Sequence, residues 1–319
     1  MSVNQFDVVV KAADDVASGV RRLRFAREDG LPMPPYSAGS HVVLTLKAPE
    51  RTFRNAYSLL GSTLDGGDYE VAVQRSSTSR GGSVFVHDGL KVGDRIRMSA
   101  PLNLFPINYT GRYHVLVAGG IGITPIHAMA AELSARNASF ELHYAMREPC
   151  YGAFAEELVA RYGNKVRLYV SSQGERFSVS SALRHQPLGT HIYVCGPERL
   201  IDGVLADARA EGWPDGALHA ERFLTPMGGT PFQVRLARSG LTIAVGEHQS
   251  LLEAIEEAGV DAPCLCRGGA CGQCETKVLE ADGRLDHHDH YLTEAERESG
   301  EKIMICMSRL KGRELVLDL

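Results

Sequence analysis

The stretch Cys264-Leu-Cys-Arg-Gly-Gly-Ala-Cys-Gly-Gln-Cys274 decides the fold of the carboxyl-terminal part of this chain. Within it, Cys266, Cys271 and Cys274 have the spacing Cys-x₄-Cys-x₂-Cys, and Cys306 supplies a further thiol later in the sequence. Four thiolates with this spacing hold the two irons of plant-type [2Fe–2S] clusters. The intervening glycines let the backbone pass close to the sulfurs. The pattern therefore predicts a two-iron site with these four cysteines as ligands.

Other interpretations of the cysteines and nearby histidines are open. Four cysteines can bind zinc, but structural zinc sites usually pair two short Cys-x₂₋₄-Cys motifs, whereas this chain has one triplet and a distant single residue. Cys264 does not fit the triplet spacing, and we expect it to be a buried thiol beside the cluster. The histidines at 287, 288 and 290 resemble a metal-binding tract, although a polar loop is the simpler expectation.

Length and composition indicate a soluble enzyme of more than one domain. The chain has 319 residues, 44% hydrophobic and 23% charged, which favours two or three domains. It contains no apolar run of membrane-spanning length, and its amino terminus has no signal-peptide pattern. We therefore expect no membrane association. Three of the seven cysteines lie outside the cluster pattern, and this odd remainder favours the reducing cytoplasm.

The negative charge is concentrated near the carboxyl terminus. The net charge is −5, and residues 233–319 contain 16 acidic but only ten basic residues. This balance disfavours nucleic acid as a partner, since nucleic-acid binding depends on basic side chains. It favours a protein partner with a basic patch, although a merely solvated acidic surface is the alternative.

Residues 1–108 have the pattern of a small antiparallel β-barrel. Short β-branched runs at 6–10, 41–46, 69–75 and 95–99 alternate with turn residues. The run at 72–83 ends in Gly81, Gly82 and Ser83, with Arg75 and Arg80 nearby. A helix starting there would present free N–H groups to an anion such as phosphate, whereas a plain loop with a helix cap is equally compatible.

Residues 109–225 change to an alternating β/α pattern that predicts a parallel sheet. Strands are predicted at 113–118, 141–146, 166–170 and 191–194, and helices at 124–136, 153–162 and 198–211. The first helix would be capped by Thr124, with Pro125 at its first position. Glycine turns at 119–122 and 195–197 both follow strands, where α/β sheets bind ligands. The first turn is not a strict Gly-x-Gly-x-x-Gly, so its spacing alone is only moderately specific for dinucleotides.

Residues 226–232 have the composition of a linker, and a third domain follows at 233–319. A hairpin is predicted at 233–237 and 241–245. Capping boxes at Ser250 and Thr293 should open two helices, the first with its apolar side at positions 251, 252, 255 and 258. The last ligand, Cys306, should return on the apolar strand 303–306.

Taken together, these motifs resemble the phthalate dioxygenase reductase family over essentially the whole chain, and within it the carnitine monooxygenase reductase-like members. The matching segments are 56–59, 80–83, 117–125, 195–197, 221–223, 264–274, 286–289, 306–309 and 315–319. The resemblance implies a multidomain α+β and α/β protein. Its parts would be an antiparallel FMN-binding β-barrel (1–108), a Rossmann-like NAD(P) domain (109–225) and a β-grasp [2Fe–2S] ferredoxin domain (233–319).

The same resemblance implies a monomeric reductase that moves electrons from NADH through FMN and the cluster to a Rieske-type terminal oxygenase. The oxygenase would hydroxylate or demethylate a small aromatic or a quaternary amine. An electron-carrier module and a flavin reductase without an oxygenase partner are the alternatives.

Site residues also follow from the resemblance. Ser58, Cys195 and Phe223 would contact the reacting rings, with Ser58 near the reactive flavin edge and Phe223 shielding the flavin face. The implied cofactor-binding residues are Asn55, Tyr57, Ser58, Ala72, Val73 and Gln74 for the flavin; Gly81, Gly82 and Ser83 for its phosphate; and Gly119, Gly120, Gly122, Thr124, Pro125, Arg147, Cys195, Gly196, Pro197 and Phe223 around the pyridine nucleotide.

The chain departs from the family pattern at two places. Asn55 stands where the family usually has an arginine, and Arg54 is one residue earlier. After the third Rossmann strand, the sequence 171–176 has serines and an arginine that could accept a 2′-phosphate, although we expect NADH rather than NADPH.

Overall fold

The fold is described from a computed structural model, which covers residues 5–49, 51–61, 67–77, 79–184 and 186–319. The described chain forms two compact units that meet in sequence between Phe223 and Leu224. The predicted boundary at 108/109 lies inside the first unit, so the separation of barrel and nucleotide domain remains a prediction from sequence. No helix in the described ranges is both long and apolar enough to cross a membrane.

The first half of the larger unit is an antiparallel barrel, as predicted. Its strands pair in the order β4-β3-β6-β1-β2-β5, with β7 on β3, and the backbone N–H of Leu60 donates to Glu70 O (2.9 Å), which joins the two outer strands. The elements are β1 (Gln5–Ala17), β2 (Val20–Arg27), β3 (Ser40–Lys47), β4 (Thr52–Ser58), β5 (Tyr69–Gln74), α1 (Gly82–Asp88), β6 (Arg95–Ser99) and β7 (Leu102–Asn103).

Strand β2 is absent from the prediction because its sequence, Val-Arg-Arg-Leu-Arg-Phe-Ala-Arg, is rich in arginine. In the structure Leu23 and Phe25 are fully buried in the barrel core, while Arg24 between them is exposed. This alternation is the two-residue period of a strand with one buried face. The arginines pair with acids on neighbouring strands, for example Arg24 Nε with Glu70 Oε1 at 2.9 Å.

The second half of this unit contains the predicted parallel sheet. The strand order is β10-β9-β8-β11-β12, and every pairing is parallel. Chain direction across the sheet therefore reverses between β8 and β11, which is the topological switch point where α/β sheets bind ligands. The elements are β8 (Tyr113–Gly119), α2 (Ile123–Ala135), β9 (Phe140–Met146), α3 (Ala155–Tyr162), β10 (Val166–Val170), α4 (Val179–Leu183), β11 (Thr190–Cys195), α5 (Glu198–Ala210) and β12 (Leu218–Glu221).

The predicted start of α2, with Thr124 as the cap, is wrong by two residues. A 3₁₀ turn at Gly120–Gly122 runs directly into the helix, so Gly122 occupies the cap position and Thr124 lies within the first turn. Thr124 Oγ1 donates to Ile121 O (3.0 Å) instead of capping. Pro125 is consequently the third helical residue, where its missing N–H still leaves no intrahelical bond unmade.

The smaller unit is a mixed sheet packed on a helix. Its order is β14-β13-β19-β15-β17, with β13 and β19 parallel, and a separate pair β16–β18. The elements are β13 (Phe232–Leu236), β14 (Leu241–Val245), α6 (Leu251–Glu257), β15 (Glu275–Ala281), β16 (Arg284–Asp286), α7 (Glu294–Ser299), β17 (Lys302–Met304), β18 (Arg309–Lys311) and β19 (Glu314–Leu317).

Both predicted capping boxes are present, at Ser250 and Thr293. Two details of this unit differ from the prediction. Ala258 is the exposed C-cap of α6, and the buried small residue is Ala254, because the helix ends before its third turn. Cys306 lies in a turn after β17 instead of on the strand.

Candidate functional site

The four cysteines of the predicted two-iron site form two thiol pairs. The thiol of Cys266 interacts with that of Cys271, and the thiol of Cys274 with that of Cys306. Three of the four are buried, and Cys271 is partly exposed. The backbone N–H of Gly268 donates to Cys266 Sγ (3.4 Å). The neighbouring Cys271 thiol, followed by loop N–H groups, lowers the pKa of the Cys266 thiol.

The backbone of the cluster loop is shaped around these sulfurs. Gly269 and Gly272 have φ of 69° and 76°, and Arg267 also has a positive φ of 54°. A Cβ on Gly272 would lie 2.3 Å from the ring of Tyr291, so no larger residue fits there. Arg267 forms an ion pair with Glu256 of α6. A curled loop that turns N–H groups toward thiolates fits a compact anionic cluster.

In the described ranges, no group of three or more His, Cys, Asp or Glu side chains is arranged so that it could hold a metal ion. The thiols instead lie as two pairs, which suits a cluster in which each iron takes two thiolates. Cys264 is partly buried against the core of the unit, and burial raises its pKa to about 11. In the histidine tract, His288 Nε2 lies 3.0 Å from Asp286 Oδ2.

On the barrel, the implied flavin residues of β4 lie next to the start of α1. Asn55 Nδ2 donates to Tyr57 Oη (3.2 Å), and a Cβ on Gly82 would lie 2.3 Å from the same amide nitrogen. Burial raises the pKa of Tyr57. Ser58 is 5% exposed, and its Oγ has no hydrogen-bond partner among the described residues. An unpaired buried hydroxyl is costly unless a ligand completes it, so this surface fits a polar ring edge.

Helix α1 begins where the sequence predicts, directly after Gly81 with φ of 116°. Ser83 Oγ accepts a hydrogen bond from Ser76 N (3.2 Å). Arg75 forms an ion pair with Asp88 (2.5 Å) at the other end of the helix, so it does not supply charge at the helix start. Thr78, inside this predicted phosphate loop, lies outside the described residues.

The three implied flavin residues of β5 differ in direction. Ala72 belongs to the core cluster shared with the parallel sheet, whereas Val73 belongs to the barrel core. Gln74 is exposed. The carbonyl oxygen of Val73 bonds to His87 Nε2 of α1 (2.9 Å). The side chain of Val73 therefore packs in the barrel core, and its carbonyl oxygen is already bonded within the barrel.

At the switch point the two predicted glycine turns are in backbone contact. A Cβ on Gly122 would lie 2.3 Å from the carbonyl oxygen of Cys195, and one on Gly119 would lie 2.8 Å from Pro197 Cδ. Gly196 has φ of 159°, and a Cβ added to it would lie 3.0 Å from the backbone of Gly119. The structure thus brings the turns at 119–122 and 195–197 together, as the sequence predicts.

The end of β11 carries a buried thiol next to a buried carboxyl group. Cys195 is fully buried, and this burial raises its pKa. Glu221 pairs with Cys195 in the register of β11 and β12. Burial raises the pKa of Glu221 to about 8, and its Oε2 has no partner among the described residues. Phe223 follows two residues later with 46% of its surface exposed.

Glu221 lies in the matching segment 221–223, but the sequence predicts no role for it. The available signal was its position two residues before Phe223 in this segment. Strand β12 was itself absent from the prediction because it has only four residues.

Arg147 is exposed directly after β9, and its carbonyl oxygen accepts a hydrogen bond from Ser172 N (3.0 Å). The loops that follow β9 and β10 therefore touch at the same edge of the sheet as the glycine turns. In the second loop Glu175 Oε2 accepts from Val170 N (3.1 Å), which places a carboxylate at the end of β10.

Comparison with known proteins agrees with this arrangement. Residues 7–107 match the family described as oxidoreductase FAD-binding domain. Residues 95–218 match the amino-terminal domain of dimethylamine monooxygenase subunit DmmA-like proteins. Residues 234–311 match the 2Fe–2S iron–sulfur cluster binding domain.

Full-length relatives are similar over nearly the whole chain. The carnitine monooxygenase reductase subunit of Acinetobacter baumannii is 42% identical, covering 98% of both chains. The heme-dependent oxidative N-demethylase beta subunit of Ectopseudomonas mendocina is 45% identical, again covering 98% of both. The solved structure of phthalate dioxygenase reductase superposes with a TM-score of 0.89 and 34% identity, over 99% of this chain and 98% of the other. With the flavin-type barrel, the switch-point crevice and the paired thiols in place, the chain belongs to the phthalate dioxygenase reductase family of flavin and [2Fe–2S] oxidoreductases.

Proposed function

We propose that this protein takes electrons from NADH, passes them through FMN and the [2Fe–2S] cluster, and delivers them singly to a Rieske-type terminal oxygenase. The observation that carries the proposal is the crevice at the switch point. There, two glycine turns in backbone contact meet a neutral thiol and an unpaired carboxyl group within the same compact unit as the flavin-type barrel.

The chain's residues have distinct roles in this scheme. The N–H groups at the start of α2 and the turn 119–122 hold the pyrophosphate of the nucleotide, because a helix N-terminus favours anions. The neutral Cys195 thiol and the turn that follows it orient the nicotinamide, Ser58 donates to the flavin edge, and the half-exposed Phe223 covers the reacting rings. When bound, the flavin accepts hydride and the cluster accepts one electron at a time. No side chain needs to act as acid or base for hydride movement.

The metal ligands in the proposal are Cys266, Cys271, Cys274 and Cys306, and the interactions of Cys266 with Cys271 and of Cys274 with Cys306 support this set. The N–H of Gly268 would stabilise negative charge on Cys266 after the metal binds. Cys264 stays outside the set because it does not fit the Cys-x₄-Cys-x₂-Cys spacing of the other three cysteines in the loop.

NADH is the proposed nucleotide rather than NADPH. Glu175 holds its carboxylate at the end of β10 through the hydrogen bond from Val170 N. A carboxylate near this edge suits a free ribose hydroxyl and repels a 2′-phosphate. The exposed Arg147 and Arg176 act in the opposite sense, so competition kinetics between the two nucleotides decide the point.

The partner class has two candidates. A Rieske-type oxygenase acting on a small aromatic or a quaternary amine agrees with the relative named carnitine monooxygenase reductase subunit. A haem-dependent N-demethylase is the second candidate, because a relative with that name is 45% identical and residues 95–218 match the DmmA-like family.

We also propose that the protein is a monomer in the cytoplasm, where a reducing environment preserves free thiols. Sedimentation should then give a mass near 34.7 kDa.

The test is an anaerobic titration of the purified protein with NADH, followed by optical and electron paramagnetic resonance spectra. We expect flavin bleaching followed by the signal of a reduced two-iron cluster. An electron-carrier module would not bleach its flavin with NADH, and a flavin reductase would lose its flavin on gel filtration. The reduced protein is then mixed with purified Rieske-type and haem-type oxygenases, and the rate of reduction of each acceptor identifies the partner class.

A further inference from the structure

Helix α2, which begins at the first glycine turn, is buried on every side. Every residue from Ile123 to Leu133 is buried. A helix buried all round is normally apolar, yet this one contains His127 and Glu132, which are 6% and 2% exposed. Burying polar groups is unfavourable unless they are hydrogen-bonded. The partners of these two side chains therefore show which parts of the unit the helix holds in place.

Glu132 contacts the chain on the barrel side of the helix. Its Oε2 accepts from the backbone N–H of Ala38 (2.8 Å), and its Oε1 accepts from Tyr109 Oη (2.5 Å). Arg136, one turn later, lies 3.1 Å from the same carboxylate and stacks its guanidinium 4.4 Å from the centre of the Tyr109 ring. A carboxylate that accepts from Ala38 and Tyr109, which are distant from the helix in sequence, fixes these two segments against α2.

The Ala38 peptide is held from both sides. While Glu132 accepts from its N–H, the side chain of Asn103 donates to its carbonyl oxygen (2.9 Å). Ala38 leads directly into β3, where His41 is the register partner of Ser58 on β4. The hydrogen bond between Glu132 and Ala38 therefore also fixes the position of the strand pair that carries Ser58.

His127 makes the corresponding contact with the segment directly after β4. The backbone N–H of Gly61 donates to His127 Nδ1 (3.4 Å), and Nε2 lies 3.2 Å from Glu157 Oε1 of α3. Since Nδ1 accepts, the ring proton resides on Nε2 and is donated to Glu157. Gly61 is three residues beyond Ser58, so the two contacts of α2 bracket this serine, one through β3 and the other directly after β4.

We propose that Glu132 and His127 are positioning residues that keep Ser58 and its strands in register with the glycine turn at the start of α2. They thereby set the separation across which hydride passes from nicotinamide to flavin. This inference rests on the proposed function of the crevice. Hydride transfer is steeply sensitive to placement, since a displacement of about 1 Å can cost on the order of 100-fold in rate.

The principal test compares Glu132→Gln with Arg136→Gln in the flavin-loaded protein. The first variant keeps the size of the side chain but points an NH₂ group at one of two donors. The second removes only a half-exposed partner of the same carboxylate. In single-turnover reduction by NADH, we expect Glu132→Gln to slow hydride transfer about tenfold or more at saturating NADH, with little change in the Kd for NADH. Arg136→Gln should stay within about twofold of the parent protein.

Two further measurements do not depend on turnover. The long-wavelength charge-transfer absorbance between bound nicotinamide and flavin should weaken in Glu132→Gln, because it reports ring stacking. Amide hydrogen exchange of the flavin-loaded protein should become faster at Ala38. Unchanged exchange, unchanged absorbance and unchanged hydride transfer in this variant would each contradict the proposal.

His127→Phe provides an independent variant if Glu132→Gln does not fold. It preserves the aromatic packing on Phe154, whose ring centre lies 5.2 Å away, but leaves the Gly61 N–H without its acceptor. We expect the same signature, with faster exchange at Gly61 and not at Ala38, whereas Glu157→Gln should behave as the parent does. If the parent flavin itself is not reduced by NADH, the proposed function is wrong; if the parent is reduced and both variants match it, only the positioning role is wrong.

Discussion

Glu221 lies directly opposite Cys195 in the parallel pairing of β12 with β11, and burial favours the uncharged form of both side chains. Burial raises the pKa of the Glu221 carboxyl to about 8 and also raises the pKa of the Cys195 thiol, which the nearby Glu221 raises further. The end of β11 is therefore a neutral, water-poor surface, well suited to an uncharged carboxamide and hostile to anions.

Replacing Glu221 by Gln should change how stability depends on pH. A carboxyl whose folded pKa is raised holds its proton more tightly when folded, so its stabilising effect is present at low pH and is lost as pH rises through about 8. We expect the unfolding temperature of the parent to fall between the ordinary carboxyl pKa of 4.5 and about pH 8, and that of Glu221→Gln to fall less. Glu211→Gln, at the exposed end of α5, is the control and should follow the parent; identical curves for all three proteins would show that Glu221 is ionised at neutral pH.

Gly122→Ala should weaken nucleotide binding. The added Cβ would be 2.3 Å from the carbonyl oxygen of Cys195, which is backbone and cannot move away without separating the two turns. We expect the Kd for NADH to rise about tenfold or more, equivalent to roughly 1.4 kcal/mol, measured by flavin spectral titration. Gly203→Ala is the control: its Cβ meets nothing within 4 Å on helix α5, so stability should rise by roughly 0.5–1 kcal/mol with unchanged binding. Tight NADH binding by Gly122→Ala would mean that the turns are not the nucleotide site.

The paired thiols predict a sharp contrast between Cys306→Ser and Cys264→Ser. Cys306→Ser removes one partner of Cys274 and should abolish the visible absorbance of the cluster and all acceptor reduction, while NADH still bleaches the flavin. Cys264→Ser should retain cluster, flavin and acceptor reduction, because its thiol lies outside the two pairs. Loss of the cluster in both variants, or zinc in place of iron in the parent, would overturn the ligand assignment.

Arg309 should matter for the stability of the smaller unit. It is 3% exposed, and its guanidinium donates to carbonyl oxygens in two segments, at Gly229, Thr230, Gly246 and Gln249. Arg309→Met leaves these oxygens without their donor and should lower the free energy of unfolding by about 3 kcal/mol. We would follow cluster bleaching in urea, with flavin release as the probe of the larger unit.

Arg238→Met is the matched control for that experiment. Its ion pair with Asp318, at 2.7 Å, is exposed, with 70% of the arginine side chain accessible. Exposed pairs contribute roughly 0–1 kcal/mol, so the urea midpoint should barely move. Equal effects of the two substitutions would show that the Arg309 contacts contribute no more than a surface pair.

Much of the fold follows from local sequence patterns. The cysteine spacing identified the cluster loop, and strand–glycine–helix periodicity identified the parallel sheet with both of its turns. The failures are equally physical: β2 was hidden by its arginines, β12 by its brevity, and the start of α2 by a 3₁₀ turn that merges with the helix. In each case the deciding interactions are made with strands or turns elsewhere in the chain.

The candidate site was predicted less completely. Residues in glycine or cysteine motifs can be recognised because their chemistry depends on local spacing. Glu132 and His127 gave no such signal, since their partners Ala38 and Gly61 lie far away in sequence and are backbone groups of ordinary residues. Glu221 likewise has no recognisable sequence signal, because its raised pKa arises from burial that only the folded sheet creates.

The two units belong to one polypeptide, and this covalent tether has a kinetic consequence. Because of the tether, the sites of the flavin and of the cluster cannot diffuse apart. The local concentration created by such a tether is on the order of millimolar, whatever the amount of protein in solution. Reduction of the cluster should consequently be first-order and insensitive to dilution. The rate of electron delivery to a separate acceptor should fall as that acceptor is diluted.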